Sequence, residues 1–332
     1  MKKILSICTA AYNVENLIHN LLDTVIACKN KEYIEIIIVN DGSTDKTDAV
    51  VNEYITKSAN IINYVKKENG GSGSAWNVAY QKAKGKYLKI IDADDYVNTA
   101  NLDLYVDFLK DVNVDIIWNQ FYKKYEQSNK QELVDFTKGC LEEGRIYDIH
   151  LDEIDLPNDF EMHGITYRTS IIQDNNIKIS ERVSYCDIEY LMLPIPFCKT
   201  LQYCKYPFYV YRLELTGQSV DPAVVIRRAS HFRIIADRLF NFYKSQREVS
   251  DLQREIMIKV VAKAIIGIYN TYYLRCDFGL KNEVMEMDKK YRDLDENVWT
   301  QIGISSGSAR LLRKFNYYGY YLMVIYHRLR NK

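Results

Sequence analysis

Between residues 4 and 110 the chain alternates short apolar runs with stretches of helical periodicity, and this alternation restricts the fold more than any other feature. The runs 4–8, 33–39, 61–65 and 87–91 read as strands, and 15–27, 44–57, 74–84 and 101–110 as helices. In the first helix Leu17, Ile18, Leu21, Leu22, Val25 and Ile26 recur at helical spacing. Strands separated by helices pair in parallel through right-handed crossovers, which gives an open α/β sheet. In such a sheet ligands bind at the carboxyl ends of the strands.

Three polar clusters stand at those ends. Thr9-Ala10-Ala11-Tyr12-Asn13 follows the first strand, and Asn40-Asp41-Gly42-Ser43 the second. Asp92-Ala93-Asp94-Asp95 follows the fourth, placing three carboxylates within four residues. Such carboxylates are hard oxygen ligands for Mg²⁺ or Mn²⁺, and a divalent ion here implies a phosphate to bridge. An aromatic ring can stack on a base, and a carboxylate can accept from its ring N–H. The clusters therefore favour a nucleotide site, although Asp-Gly-Ser-Thr alone also reads as a turn. Gly70-Gly71-Ser72-Gly73-Ser74 lacks the third glycine of a dinucleotide fingerprint and does not follow the first strand. It reads as a close backbone approach to a donor or as a flexible turn.

The order and spacing of further motifs resemble those of family 2 glycosyltransferases. These are Ala11-Tyr12-Asn13, Ile38-Val39-Asn40-Asp41-Gly42-Ser43-Thr44-Asp45, Glu68-Asn69-Gly70-Gly71, Ala83-Lys84-Gly85-Lys86-Tyr87 and Asp92-Ala93-Asp94-Asp95. The resemblance is specific over residues 4–120 and looser to about 220. It implies a GT-A fold, a nucleoside-diphosphate-sugar donor and inversion at the anomeric carbon. By position it implies that Thr9, Tyr12 and Asp41 hold the uracil, with Ala11, Asn69, Gly70 and Ala93 in the same nucleotide-sugar site. Asp92 would meet the ribose, and Asp94 would bind the Mn²⁺ or Mg²⁺ that bridges the phosphates. Asp95 is left between metal contact and bracing of its own loop.

Inverting transfer needs a carboxylate within hydrogen-bond reach of the attacking hydroxyl. Where the family carries an acidic pair, this chain has Ser184-Tyr185-Cys186-Asp187-Ile188-Glu189-Tyr190. Asp187 aligns with the base, Cys186 replaces the first acid, and Glu189 competes; Asp187 also reads as a helix N-cap. His163 stands where related polysaccharide transferases carry a histidine near the acceptor, and also reads as structural. Arg212, or the Gln218-Ser219 loop, resembles a late family segment that closes over the diphosphate; a strand and turn is the alternative. Two departures stand out. Ala10-Ala11 occupy the place of a family proline. Trp76 occupies that of an arginine, so a cation is lost there or is replaced by Lys66 or Lys67.

The 44 basic and 44 acidic residues give zero net charge, which excludes a generic nucleic-acid binder. Seven scattered cysteines without a paired spacing suggest reduced thiols and a cytoplasmic setting. The N-terminal apolar run is too short for a signal peptide and reads as the first strand. No run is long enough to span a membrane. Residues 119–160 are polar and irregular, 207–212 read as a strand, and the chain beyond 222 reads as helical, with an apolar stripe along 252–274.

The expected plan is a GT-A domain over 1–220, divided into a nucleotide-sugar half (1–120) and an acceptor half (121–220), then a helical region over 221–332. Residues 310–332 carry Arg310, Arg313, Lys314, Arg328, Arg330 and Lys332 and no acid, around an aromatic, apolar middle. That segment suits peripheral contact with the inner face of a membrane, or packing on protein, including a second copy of the chain. The expected activity is metal-dependent transfer of a hexose or N-acetylhexosamine from a UDP-sugar to a hydroxyl. The acceptor would be a glycan or a polyprenyl-diphosphate-linked glycan in surface polysaccharide synthesis. The rivals are a nucleotidyltransferase of related architecture, whose basic Gly-rich signature is missing from the first strand, and a catalytically weak family member acting as an assembly partner.

Overall fold

The computed structural model describes residues 2–135, 137–157, 160–215 and 217–330, without the Arg330 side chain. Two compact units are present, Met1–Thr216 and Gly217–Lys332. Lys332 and the side chain of Arg330, both counted in the basic C-terminal segment, lie outside the described residues.

The first unit opens with β1 (Leu5–Ala11), α1 (Ile18–Ile26), β2 (Ile34–Asp41), α2 (Thr47–Ser58), β3 (Ile62–Lys67), α3 (Ser72–Lys82) and β4 (Tyr87–Ile90). All eight residues of β2 are buried, as a β-branched run covered on both faces requires. Each fully buried Ile or Val there contributes about 1.5–3 kcal/mol. β1 pairs in parallel with β2 on one side and β4 on the other, and β2 pairs in parallel with β3. The first helix starts at Ile18 and not at 15. Glu15 belongs instead to the loop, where its N–H donates to Asp45 Oδ2 (3.0 Å) and its carboxylate accepts from Lys46 N (2.7 Å).

The Ala83-Lys84-Gly85 turn is structural. Buried Glu35 accepts from Ser6 Oγ (2.6 Å), Lys84 N (2.6 Å) and Gly85 N (3.1 Å). A Cβ on Gly85 would lie 2.6 Å from Ser6 N, so only glycine lets β4 start this close to β1.

Beyond β4 come β5 (Tyr96–Val97), α4 (Thr99–Asp111), β6 (Ile116–Asn119), β7 (Phe121–Tyr125), β8 (Gln131–Val134) and β9 (Ile146–Asp148). They are followed by β10 (Ile165–Arg168), α5 (Thr169–Asp174), α6 (Asp187–Met192), β11 (Thr200–Cys204) and β12 (Tyr209–Leu213). Among the described residues one sheet runs β3-β2-β1-β4-β10-β6-β11-β9 and a second runs β5-β12-β7-β8. β10 is antiparallel to both β4 and β6. The segment expected to be irregular thus supplies three strands. β8 is largely exposed and polar, so it shows no alternation to read.

The second unit holds α7 (Pro222–Arg227), α8 (Ala229–Ser245), α9 (Asp251–Leu274), α10 (Lys281–Leu294), α11 (Glu296–Ser305), α12 (Gly307–Arg313) and α13 (Gly319–Arg330). The expected stripe on α9 is wider than one face: α8 and α11 both pack on it, and most of its residues are buried. Asp288 anchors this unit. It is fully buried and accepts from Tyr269, Trp299, Arg313 and Tyr317. No helix among the described residues is long and apolar enough to cross a membrane.

Candidate active site

β1 lies between β2 and β4, so the loops leaving these three strands open on one edge. Two of the loops are stitched together. Asn13, held at φ 53°, accepts from Thr44 N (2.8 Å), and its own N–H donates to Ser43 Oγ (3.0 Å). Tyr12 stays half exposed beside them, free to meet a flat ring. Ala11 closes β1 in a buried position. Thr9 sits within the body of β1, buried, with a hydroxyl that has no hydrogen-bond partner.

Asp41 binds the glycine loop. Its Oδ1 accepts from Lys67 Nζ (2.8 Å) and Gly70 N (2.9 Å), and its Oδ2 from Gly71 N (2.7 Å). Asn69 Nδ2 donates to the Asp41 carbonyl (2.9 Å). Gly71 has φ +83° and caps α3, a conformation that suits glycine. A carboxylate has about four acceptor positions, so one lone pair on Oδ2 is left for a ligand N–H. Of the two candidate replacement cations, Lys67 is therefore at the loop, whereas Lys66 pairs with Asp48 (2.6 Å). Trp76 is buried, and its place is in the packing of α3.

The carboxylate cluster follows β4. Asp92 and Asp94 keep partial solvent contact, whereas Ala93 and Asp95 are buried. Burial, then the charges of Asp94 and Asp187, push the Asp92 carboxyl well above its usual range. Asp187 is the first residue of α6 and follows the N-cap Cys186, so its charge reaches the cluster from a different element. Burial and the charges of Asp94 and Asp92 also raise Asp95, against the pull of its two donors. Those donors are Tyr209 OH to Oδ2 (2.6 Å) and Arg212 N to Oδ1 (2.7 Å). Arg212 spends its guanidinium on Glu126 (2.7 Å) and the Asp94 carbonyl (3.1 Å), so in this structure it braces the loop from below.

Glu189, the competitor of Asp187, is wholly buried. Its oxygens accept from Ser180 N (2.6 Å) and Ser180 Oγ (2.7 Å), which fixes the chain before α6. Cys186 is buried against Ser72 Oγ (3.4 Å), and burial pushes its thiol up to about 12. His163 stacks on Tyr211 at 4.1 Å and meets Tyr209 edge-on at 4.9 Å. Burial pushes its imidazole below the usual value, which leaves it neutral with a nitrogen lone pair. Gln218 and Ser219 belong to the second unit, where the Gln218 carbonyl accepts from Asp221 N (3.1 Å).

Lys89, outside every motif named above, belongs to the site as well. It is fully buried in β4, and its Nζ donates to the carbonyls of Met162 (3.1 Å), His163 (2.6 Å) and Ile165 (3.0 Å). It thereby fixes the 3-10 turn Met162–Gly164 that carries His163. The signal was present: a lysine inside the apolar run Tyr87-Leu88-Lys89-Ile90-Ile91 must find several acceptors or leave the core.

Asp92, Asp95 and His163 each offer one ligand atom, and these atoms all lie within 4.8 Å of one another. Carboxylates with raised proton affinity, beside a neutral imidazole, form a donor set that fits Mn²⁺ or Mg²⁺.

The fold is of GT-A type, followed by a helical C-terminal region. It is similar to residues 1–349 of S. aureus TarS in complex with UDP-GlcNAc, with TM-score 0.67, 18% identity and coverage of 98% of this chain and 92% of that one. The mannosyltransferase PcManGT of Pyrobaculum calidifontis, solved with GDP-Man and Mn²⁺, gives TM-score 0.56 at 15% identity, covering 100% of this chain and 88% of that one.

Residues 6–173, half of the sequence, match the Glycosyl transferase family 2 profile, and the chain belongs to that family. It is 33% identical over 124 residues to the uncharacterized glycosyltransferase EpsJ of Bacillus subtilis, which is 37% of this chain and 36% of that protein. It is 36% identical over 104 residues to the minor teichoic acid biosynthesis protein GgaB of the same organism, or 31% of this chain and 12% of that protein. The matched region thus spans well under half the length of either relative.

Proposed function

We propose that the first unit transfers a sugar from a UDP-sugar to an acceptor hydroxyl, with inversion and with dependence on a divalent metal, in the synthesis of a cell-surface polysaccharide. The observation that carries this reading is the carboxylate cluster at the end of β4, where Asp92 lies within reach of the charge of Asp187 at the start of α6. Leaving-group carboxylates and a base on separate elements can face opposite sides of one anomeric carbon.

Tyr12 stacks on the base, and the free lone pair of Asp41 accepts its ring N–H. Thr9, Ala11, Asn69, Gly70 and Ala93 line the nucleotide, and Asp92 meets the ribose. Asp94, the partly exposed carboxylate, would hold the ion beside Asp92, whose oxygen also lies within 4.8 Å of ligand atoms of Asp95 and His163; Asp95, held by Tyr209 and Arg212, supports the loop. A bound Mn²⁺ or Mg²⁺ supplies Lewis-acid stabilisation of the charge growing on the diphosphate. Asp187 accepts the proton of the acceptor hydroxyl as its oxygen bonds to the anomeric carbon and the bond from that carbon to UDP breaks. His163 contacts the acceptor or a phosphate. Arg212 holds the Asp94 carbonyl and so steadies the loop that meets the diphosphate.

The UDP-GlcNAc bound by TarS supports a UDP-sugar donor, the Mn²⁺ named for PcManGT supports the metal, and the teichoic acid role named for GgaB supports a surface-glycan acceptor. A panel of UDP-sugars scored for metal-dependent UDP release tests the reading. Release from at least one donor, lost with a chelator, is expected. Pyrophosphate release in place of UDP would assign the site to nucleotidyl transfer.

A further inference from the structure

The last helix is apolar on both sides. α13 turns Tyr320 and Val324 inward, and both are fully buried. At 3.6 residues per turn, Leu322, Ile325, Tyr326 and Leu329 fall on the opposite side. These four are 53%, 46%, 52% and 69% exposed. Phe315 (75%) and Tyr318 (57%) continue the same patch at the helix entrance. Single exposed apolar residues are ordinary on a protein surface, but six along one face form a patch that marks an interaction site. A helix apolar all round belongs in a protein interior or at a lipid boundary.

The chain before α13 presents the patch outward. Phe315, Asn316 and Tyr317 have φ of 52°, 51° and 65°, three successive non-glycine residues in the left-handed region. Such a run persists only where its surroundings or its task hold it. The charge on the segment itself has one sign, and Lys281 adds a cation 3.8 Å from the Tyr318 ring; one exposed acid, Asp277, stands beside Phe278. Residues 310–332 contain no Asp or Glu, and Arg310, Lys314 and Arg328 are exposed. Arg328, whose guanidinium donates to the Cys276 carbonyl, also lies 4.3 Å from the ring of Phe278, which is 37% exposed and widens the apolar surface. Tyr318 and Tyr326 add rings with polar tips, the residue type that settles at headgroup level.

We propose that the outer face of α13 and the turn at 314–318 form an in-plane anchor on a bilayer containing anionic lipid. The twelve-residue helix is too short to span, so its apolar side would lie in the boundary between acyl chains and headgroups, with the cations at the anionic surface. A second copy of this chain, packed face to face, would set this basic rim against itself, whereas an anionic bilayer matches both the apolar face and its border. The proposal does not depend on the donor site, so either can fail alone.

The test is flotation of the 332-residue chain with vesicles of phosphatidylcholine alone and of phosphatidylcholine with phosphatidylglycerol at 7:3. The variants are Leu322→Glu with Leu329→Glu, and Lys314→Glu. Wild type should float with the anionic vesicles and much less with the neutral ones, and less as salt rises. The double variant should lose about tenfold or more of the binding while keeping its melting temperature, because both side chains already face water. Lys314→Glu should weaken binding to anionic vesicles alone. Equal flotation of wild type and double variant, or no flotation at any composition, overturns the proposal. So does a dimer in sedimentation equilibrium that the double variant dissociates while vesicles bind neither protein.

Discussion

The Tyr209 hydroxyl donates a 2.6 Å hydrogen bond to Asp95 Oδ2 and, through the same oxygen, accepts the N–H of Asp92 at 3.1 Å. One residue of β12 therefore holds both ends of the carboxylate loop. Tyr209→Phe removes both bonds at once inside the core. Loss of about 2–4 kcal/mol in urea denaturation is expected, since each buried group left unmatched costs about 1–3 kcal/mol. Donor KM should rise as well, because Asp92 is no longer fixed. A stability change below about 0.5 kcal/mol would show that the loop is held by other means.

Lys89 offers a similar test one layer deeper. Its three donors satisfy three carbonyls around the turn of His163. Lys89→Met keeps the length and removes the donors, leaving the carbonyls buried. Stability should fall by about 2–5 kcal/mol, since each buried carbonyl left unmatched costs about 1–3 kcal/mol. If His163 contacts the acceptor, kcat should also fall while UDP binding stays near wild type. An unchanged kcat would make the turn purely structural.

Glu161 gives the pH dependence. Burial pushes its carboxyl up, but His163 and Lys123 outweigh burial and hold it at about 2. Lys123 pairs with it at 2.7 Å, and the Nδ1 of His163 lies 3.3 Å away, so a protonated His163 adds to the pull as pH falls. A carboxyl depressed on folding stabilises the native state above its ordinary value near 4.3, and the effect is lost as pH falls towards 2. Glu161→Gln should therefore cost about 1–3 kcal/mol at pH 7 and progressively less below about pH 4.5. Urea denaturation of both proteins at pH 7 and pH 3 reads the difference. A gap that widens at pH 3 has the wrong sign for this pair.

Much of this site was legible because its chemistry sits at strand ends. β1, β2 and β4 were marked by apolar runs that stop at polar turns, and the α/β alternation fixed their pairing. Asp92 and Asp94 stand out as candidates from residue type and their place after β4, whereas Asp187 stands out only through the resemblance to the family. What could not be read was the division of labour made by burial. Asp95 looks like Asp94 in sequence, yet Tyr209 and Arg212 draw it inward from a strand more than a hundred residues away. Glu189 looks as acidic as Asp187, yet Ser180 occupies both its oxygens. β8 stayed hidden because an exposed strand of mostly polar residues has no period to detect. α9 showed only one stripe because the residues that α8 and α11 cover include polar ones.

The glycine loop carries its own expectation. Gly71→Ala must hold φ near +83° with a Cβ 3.2 Å from Arg182 N. The N–H that Gly71 gives to Asp41 would shift with the strain, which is about 1–2 kcal/mol for a residue with a side chain. Donor KM should rise about three- to tenfold with kcat changed less, the pattern of weakened ground-state binding. A fall in kcat at constant KM would place the loop in the chemical step instead.

The central claim is that Asp94 serves the leaving group and Asp187 the acceptor. The most direct measurement is single-turnover transfer from the best UDP-sugar, paired with calorimetric UDP binding in Mn²⁺, for wild type, Asp94→Ala and Asp187→Asn. Asp187→Asn should slow transfer by about 10²–10⁴-fold and bind UDP as wild type does. Asp94→Ala should lose both metal-dependent UDP binding and transfer. Transfer by Asp187→Asn within about threefold of wild type, or metal-dependent UDP binding retained by Asp94→Ala, would contradict the account.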